Sequence, residues 1–334
     1  DMRKVFTAAQ AHDAKVVVIG DERQLKAVEA GRPFAQLHEH GIGFALMDQI
    51  QRQQDPNLRE AVWEASQGHI ARSIARMQPH VTEIKVDTQR YQAIAQEFAA
   101  QPAEARRQTL VITGTNAARD AINREIRTAL GRGDAGQEVK IVRRVDMTKA
   151  QAKLVRNYQP GMVVEASRAY SGLLAQKGER FHVDSVHPDH VRLRREDGRL
   201  IDWQPARNPG FIAYEERSIK LDTGDRIQFT QGDKTIGYKS RELGEVIAID
   251  GDSRGLHVRR SNGQDVRLPL TRPLTIDYGY AATAHSSQGA TVDRVLVDID
   301  TRSLTTNDAA YYVEISRARH EAKIYTNGRA KLPE

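Results

Sequence analysis

The sequence predicts an α/β protein in which a parallel sheet is interrupted by an all-β insertion. Two apolar runs predict the sheet. Residues 15–19 (Lys15-Val16-Val17-Val18-Ile19) and residues 109–113 (Thr-Leu-Val-Ile-Thr) are hydrophobic on both faces, as parallel strands covered by helices are. A change of period predicts the insertion. From about residue 139 to residue 270, short alternating strands are broken by Glu196-Asp197-Gly198, Asp250-Gly251-Asp252 and Ser261-Asn262-Gly263. An Asp-Gly or Asn-Gly pair between alternating runs signals a hairpin.

The elements follow in order. Residues 2–11 carry a helical pattern that leads through His12-Asp13 into the first strand. Gly20-Asp21 ends that strand and leaves Asp21 and Gln24 in the loop at its carboxyl edge, where open α/β sheets bind ligands. Pro56 suits the opening turn of a helix, and residues 58–77 read as one or two helices. A short strand over 81–86 and a helix over 90–100 precede the strand at 109–113. Thr115 or Asn116 caps a helix over 117–130, in which Ile122, Ile126 and Leu130 recur at spacing four. Within the β region, residues 161–203 and 224–268 each read as a small SH3-like barrel. The α/β texture returns at Thr275, with a strand over 292–299, a helix over 308–319 capped by Asn307 or Asp308, and a strand over 322–325.

Composition narrows the function. The 334 residues are 39% hydrophobic, with a mean hydropathy of −0.60, and no apolar run approaches a membrane span. No insertion into a membrane is expected, and the first residues show no signal peptide. Cysteine is absent, which excludes disulfides and thiolate metal sites and fits a cytoplasmic protein. Fifty Lys and Arg against 44 Asp and Glu give a net charge of +6, which favours a polyanionic partner, nucleic acid first.

Four short segments carry chemistry. In Gly20-Asp21-Glu22-Arg23-Gln24-Leu25, a glutamine three residues after a strand-terminal Asp can reach a phosphate or an attacking water; otherwise both residues cap their own loop. In Gln49-Ile50-Gln51-Arg52-Gln53, the Arg52 fork can grip a γ-phosphate in bidentate fashion. In Tyr280-Ala281-Ala282-Thr283-Ala284-His285-Ser286-Ser287-Gln288-Gly289, small and hydroxyl side chains permit close approach to sugar-phosphate oxygens. In Tyr311-Tyr312-Val313-Glu314-Ile315-Ser316-Arg317-Ala318-Arg319, the arginines either complement a helix dipole or supply an arginine finger.

In this order and spacing, the segments resemble motifs III, IV, V and VI of superfamily 1 DNA helicases. The string from Tyr280 to Gly289, with Val28-Glu29-Ala30-Gly31, looks most like the RecD-like branch. The helicase part of conjugative relaxase–helicases, the TraI/TrwC type of the MobF family, belongs to that branch and carries SH3-like insertions in its second motor domain. The resemblance implies RecA-like (P-loop NTPase-type) domains. Residues 1–45 would then close the first motor domain, 46–135 and 273–334 would form the second, and 136–272 would be the inserted β subdomain.

The resemblance also implies roles. Gln24, Arg52 and Arg317 would act on the γ-phosphate of ATP, with Asp21, Gln288 and Gly289 completing the nucleotide contacts. Thr283, His285 and Ser287 would face single-stranded DNA, and Thr113, Thr115 and Asn116 would grip its backbone. Ser286 stands where many relatives carry a lysine, so one phosphate contact is missing. The parent reaction would be ATP-driven 5′-to-3′ translocation in conjugative plasmid transfer, with a type IV secretion coupling protein as a further partner.

No Gly-x-x-x-x-Gly-Lys-[Ser/Thr] occurs in the sequence, and its one Asp-Glu pair, Asp21-Glu22, lies in the segment assigned to motif III, so the separate pair that would hold Mg²⁺ is absent. The expectation is therefore that ATP and Mg²⁺ serve the parent protein, that neither is held by this stretch alone, and that it does not hydrolyse ATP by itself. Two alternatives stand beside this reading: a non-catalytic DNA- or secretion-receptor-binding module, and a RecD-type repair helicase. His38-Glu39-His40 does not have metal-site spacing. Arg192, Arg194, Arg195 and Arg199 either contact nucleic acid or lie on a solvated strand face. Trp63 and Trp203 suit packing better than base stacking.

Overall fold

The computed structural model describes residues 2–25, 33–47, 49–233, 235–251 and 254–332. The tetrapeptide Val28-Glu29-Ala30-Gly31 and residue Asp252 lie outside the described residues. The chain divides into two compact units, residues 1–131 with 280–334, and residues 132–279.

In chain order, unit 1 begins with helices α1 (Met2–Ala11), α2 (Pro33–Glu39), α3 (Pro56–Ser66) and α4 (Ile70–Met77). Strand β1 (Val81–Glu83), helices α5 (Asp87–Ala100) and α6 (Ala103–Arg107), strand β2 (Thr109–Thr113) and helix α7 (Asn116–Ala129) follow. Unit 2 holds strands β3 (Gln137–Arg144), β4 (Val163–Ala166), β5 (Arg180–Val186), β6 (Val191–Arg194), β7 (Leu200–Trp203) and β8 (Phe211–Leu221). It continues with β9 (Arg226–Phe229), β10 (Leu243–Ile249), β11 (Gly255–Arg260), β12 (Asp265–Pro269) and β13 (Ile276–Tyr278). Unit 1 resumes with β14 (Ala281–Thr283), β15 (Val292–Ile299), α8 (Asp308–Ile315) and β16 (Ala318–Thr326).

The sheet of unit 1 has the order β1-β16-β15-β2-β14, and every pair in it is parallel. Alternation explains why its strands are apolar throughout. Leu110 and Ile112 of β2, with Val295, Val297 and Ile299 of β15, join one cluster with Leu58 and Val62 of α3, Ile74 and Met77 of α4, and Tyr311 and Ile315 of α8. Val111 and Leu296, one position out of step, are equally buried but belong outside that cluster, so they face the opposite side. There α5 and α7 pack together, burying Ile94, Phe98, Ile122 and Ile126. Each such side chain contributes on the order of 2 kcal/mol by leaving water.

Helix starts follow their capping chemistry. Asp55 accepts from the Leu58 amide ahead of Pro56, Thr115 accepts from the Ala118 amide, and Asn307 accepts from the Ala310 amide. The final helix is shorter than its pattern predicts: α8 stops at Ile315, because Ala318 already pairs with Val292 as the first residue of β16.

One element departs outright. Residues 15–19 form no strand, and Val17 and Ile19 are 74% and 80% exposed. An apolar run makes a buried strand only when neighbours supply hydrogen bonds and cover both faces, and no described strand pairs with it.

Unit 2 contains two antiparallel sheets, ordered β3-β8-β4-β5-β6-β7 and β12-β11-β10-β9-β13. The two stretches expected as barrels are the meanders β4–β7 and β9–β12, each enlarged by strands from outside it. Their end strands carry no ladder to one another, so backbone pairing does not close them. Each sheet has its own core, one around Phe181, Trp203 and Phe211, the other around Ile227, Phe229 and Val258.

Candidate functional site

Unit 1 brings the motif segments together from positions up to 291 apart. The meeting point is Ser316, where α8 ends. Arg52 donates from Nη1 to the Ser316 carbonyl at 2.7 Å. Its neighbour Gln53, 3% exposed, donates to the carbonyls of Ser316 at 3.0 Å and Ala318 at 2.7 Å. Arg317, also 3% exposed, donates from Nε to the Val313 carbonyl at 2.9 Å and from Nη2 to the Ser316 hydroxyl at 3.0 Å.

The two guanidiniums thus share one serine, and neither pairs with a carboxylate among the described residues. Burial, and then the charge of Arg52, push the Arg317 guanidinium down to about 10, while Tyr312 and Asp21 act in the opposite sense. Such an arrangement is electrostatically incomplete, and a multiply charged anion would complete it.

Asp21 supplies the second half of the assembly. Its Oδ2 accepts from Gln24 Nε2 at 2.9 Å and from the Tyr312 hydroxyl at 3.1 Å, and its Oδ1 accepts from the Arg23 amide at 3.0 Å. Burial first, then the Asp21 charge and hydrogen bond, push the Tyr312 phenol up to about 12. Gln288 donates to the Leu25 carbonyl at 3.4 Å, and Gly289 next to it has φ of +87°, a conformation that glycine takes without strain. Asp21, Gln24, Arg52, Gln288 and Arg317 therefore belong to one connected region. Tyr312 and Gln53 join them and were not singled out from sequence. Both lie inside the motif strings, but only the fold shows which side chain crosses to which loop.

The DNA-directed candidates sit along one edge of the parallel sheet. Asn116 and His285 are exposed, Thr115 is half-buried and caps α7, and Thr283 is half-buried. Thr283 and Ser286 build a closed turn: the Ser286 hydroxyl lies 3.0 Å from that of Thr283 and accepts from the Thr283 amide at 2.8 Å. Two candidates are turned inward, contrary to expectation. Thr113 is 1% exposed and donates to Asp298 Oδ2 at 2.7 Å. Ser287 is 1% exposed and donates to the Ala284 carbonyl at 2.8 Å. Both hydroxyls are spent on holding the edge loops in shape.

Behind that edge lies a buried acidic layer. Asp298 accepts from Arg90 Nε at 2.6 Å, and Arg90 also donates to Asp87 at 2.9 Å. Burial pushes the Asp298 carboxyl upward against the pull of Arg90 and Thr113. Glu314 on α8 is 4% exposed, with no hydrogen bond to its carboxyl among the described residues. Burial, then the neighbouring Asp298 charge, hold it well above the usual carboxyl range. It lines a small cavity with Gly114, Asp298, Thr305 and Tyr311.

Elsewhere the basic strand face is neutralised locally. Arg192 pairs with Asp202, Arg194 with Asp184, Arg195 with Glu179 and Arg199 with Asp197, so the arginines of that cluster are internally paired. His38 meets Glu22 at 3.2 Å, and His40 meets the Gln36 carbonyl at 2.7 Å. Trp203 is buried and donates to the Asn208 carbonyl, whereas Trp63 is 40% exposed on α3.

A parallel α/β unit that gathers these segments around two arginines without a carboxylate partner among the described residues fits a helicase-like domain. Comparison with known proteins finds conjugation proteins among the relatives. The chain is 26% identical to the multifunctional conjugation protein TraI of Escherichia coli, over 98% of this chain and 21% of the relative. It is also 26% identical to the conjugal transfer protein TraA of Rhizobium radiobacter, over 98% of this chain and 23% of that relative. The resemblance to conjugative relaxase–helicases that the motifs carry thus extends along nearly the whole chain, which spans about a fifth of the length of these relatives. A family described as an AAA domain matches residues 1–86. Among solved structures, the chain is similar to Bacteroides Pif1 bound to single-stranded DNA, with 16% identity, a TM-score of 0.49, and coverage of 96% of this chain and 64% of that one. No helix among the described residues is long and apolar enough to cross a membrane.

Proposed function

We propose that the chain is part of an ATP-dependent 5′-to-3′ translocase on single-stranded DNA in conjugative plasmid transfer, and that unit 1 joins the end of its first motor domain, residues 1–45, to its second, RecA-like one. The observation that carries this reading is the pair Arg52 and Arg317, held on Ser316 without a carboxylate partner among the described residues. A terminal phosphate is the anion that two converging guanidiniums and a neutral glutamine suit. Arg52 and Arg317 hold it and stabilise charge that develops during transfer, and Gln24, oriented by Asp21, holds the attacking water. ATP would supply the phosphoryl group itself.

No group of three acidic or histidine side chains suited to a metal occurs among the described residues. The phosphate cradle and the metal ligands belong, in this proposal, to other parts of the assembled motor. Thr115, Asn116, Thr283 and His285 form the face toward DNA, with Thr113 and Ser287 supporting it from behind. Contact with a type IV secretion coupling protein rests on the conjugation relatives alone.

The test has two arms. Inorganic triphosphate at millimolar concentration, a probe of the two arginines and not of complete ATP binding, raises the melting temperature of the chain, and Arg52→Ala or Arg317→Ala abolishes the rise. Oligothymidylate binds in a salt-sensitive manner, and Asn116→Ala and His285→Ala weaken it. A chain that ignores both ligands is a protein-binding module instead.

A further inference from the structure

The parallel sheet aligns three loops on one edge. Because β14, β2 and β15 are parallel neighbours, the segments that follow them emerge side by side, spaced by the roughly 5 Å between strands. The first is Thr283–Ser286 and the second is Gly114–Asn116; the third, residues 300–307, lies between β15 and α8 and matches none of the motif segments. It lies against the second: a side chain at Gly114 would collide with the Thr305 hydroxyl.

This third loop, Asp300-Thr301-Arg302-Ser303-Leu304-Thr305-Thr306-Asn307, has hydroxyl residues at four of its eight positions and a single apolar residue. Leu304 is 100% exposed. A lone exposed leucine needs no explanation on an ordinary surface, but this one is presented by a clamped loop. Asp300 accepts from the Arg302 amide and Nε, both at 2.9 Å, and from Asn327 at 2.7 Å. Asn327 in turn accepts from the Thr301 amide at 2.9 Å and hydroxyl at 3.0 Å, and Thr306 donates to the Asp300 carbonyl at 2.7 Å. Arg302 reaches Asp87 at the start of α5 at 2.7 Å.

The clamp also disposes of the loop's charge, since Arg302 is divided between Asp87 and Asp300. The loop therefore offers no free cation to a phosphate. What it offers is an apolar tip whose ordering cost is already met by the fold, and this suits the face of a nucleobase.

We infer that Leu304 is a base-contacting residue, an apolar rest for a nucleobase of single-stranded DNA running along the three-loop edge. This deepens the proposed function and rests on it, because it assumes that the first two loops face DNA.

The test is binding of a fluorescent oligothymidylate to the whole chain by anisotropy, across a salt series, for Leu304→Ala, Leu304→Trp, Asn116→Ala and wild type. Leu304→Ala weakens binding about fivefold, as expected for partial loss of one leucine's burial. The slope of log K against log salt stays unchanged, because no phosphate contact is removed. Leu304→Trp binds at least as tightly as wild type, and its emission shifts when the oligonucleotide is added. If Leu304→Ala binds like wild type while Asn116→Ala is weakened, this inference fails and the reading of the other two loops stands. A flattened salt slope for Leu304→Ala also overturns it, since the loop would then act through charge. If wild type does not bind the oligonucleotide, both fall together.

Discussion

One oxygen of Asp21 serves two partners: Oδ2 accepts from the Gln24 amide and from the hydroxyl of Tyr312, at 2.9 and 3.1 Å. The loop that carries the glutamine is thereby tied to the helix that delivers Arg317. Tyr312→Phe removes that tie and is expected to cost about 1 kcal/mol of stability, the usual net worth of such a hydrogen bond. A lower urea midpoint with an unchanged slope would register it. The pH dependence has a definite sign. Tyr312 ionises more reluctantly in the folded chain, at about 12 against an ordinary 10.0. Its contribution is complete below pH 10 and is lost as pH rises toward 12. The deficit of the phenylalanine variant therefore narrows across that interval.

Arg317 predicts a trade between stability and anion response. It is buried beside Arg52 and its charged form is disfavoured there. Arg317→Met relieves the repulsion and keeps the packing of the side chain, so its melting temperature in anion-free buffer matches or exceeds that of wild type. The same variant loses the stabilisation that inorganic triphosphate gives. Differential scanning fluorimetry with and without triphosphate separates the two effects, and a methionine variant that still responds to the anion would remove Arg317 from the site.

Glu314 predicts a pH-dependent penalty. Its carboxyl is held above the usual range in the folded chain, so the folded state binds a proton that the unfolded state releases. Stability from this group is complete below the ordinary carboxyl value and declines as pH rises past it. Glu314→Gln has no proton to lose. It is expected to match wild type near pH 4 and to melt higher at neutral pH, by roughly 2–4 °C for each kcal/mol relieved. Melting curves of both proteins across that range decide it.

Thr115 and Asn116 separate capping from contact. The Thr115 hydroxyl holds the first turn of α7, so Thr115→Ala costs about 1 kcal/mol in a denaturant titration. Asn116 is exposed, and its alanine variant should unfold as wild type does while binding oligothymidylate less well. Equal loss of stability in both variants would show that Asn116 also serves the helix.

Arg90 tests the buried layer. It is fully buried against Asp298, and Arg90→Met leaves that carboxylate without its counter-charge. Breaking such a pair from one side costs about 3–5 kcal/mol, visible as a large drop in the urea midpoint.

The elements most legible in the sequence were those whose partners are close in sequence or whose pattern is self-sufficient. The alternation and Gly turns of unit 2 marked its hairpins, and the spacing of Ile122 and Ile126 marked α7. Residues 15–19 were misleading because hydrophobicity states what a run could bury, and pairing depends on strands elsewhere. The motif strings singled out Gln24, Arg52 and Arg317 as candidates, since the chemistry of a glutamine and two arginines is written in residue type. Their convergence on Ser316 and Asp21 was not legible, because it depends on register between segments that no local pattern links. Thr113 and Ser287 show the converse limit: a hydroxyl in a motif reads the same whether it points out or in.

The last strand before the insertion and the first after it, β2 and β14, lie side by side, with Ala281 opposite Val111 and Thr283 opposite Thr113. The buried Asn123 of α7 accepts from the Ala281 amide at 2.9 Å and so anchors the returning chain. Every ladder of this sheet is thus made from residues of unit 1 alone. The chain leaves the sheet after β2 and α7 and re-enters it at β14. The ladders of the sheet and those of residues 132–279 use separate sets of hydrogen bonds, so a change in the length of the excursion need not break a ladder of the sheet.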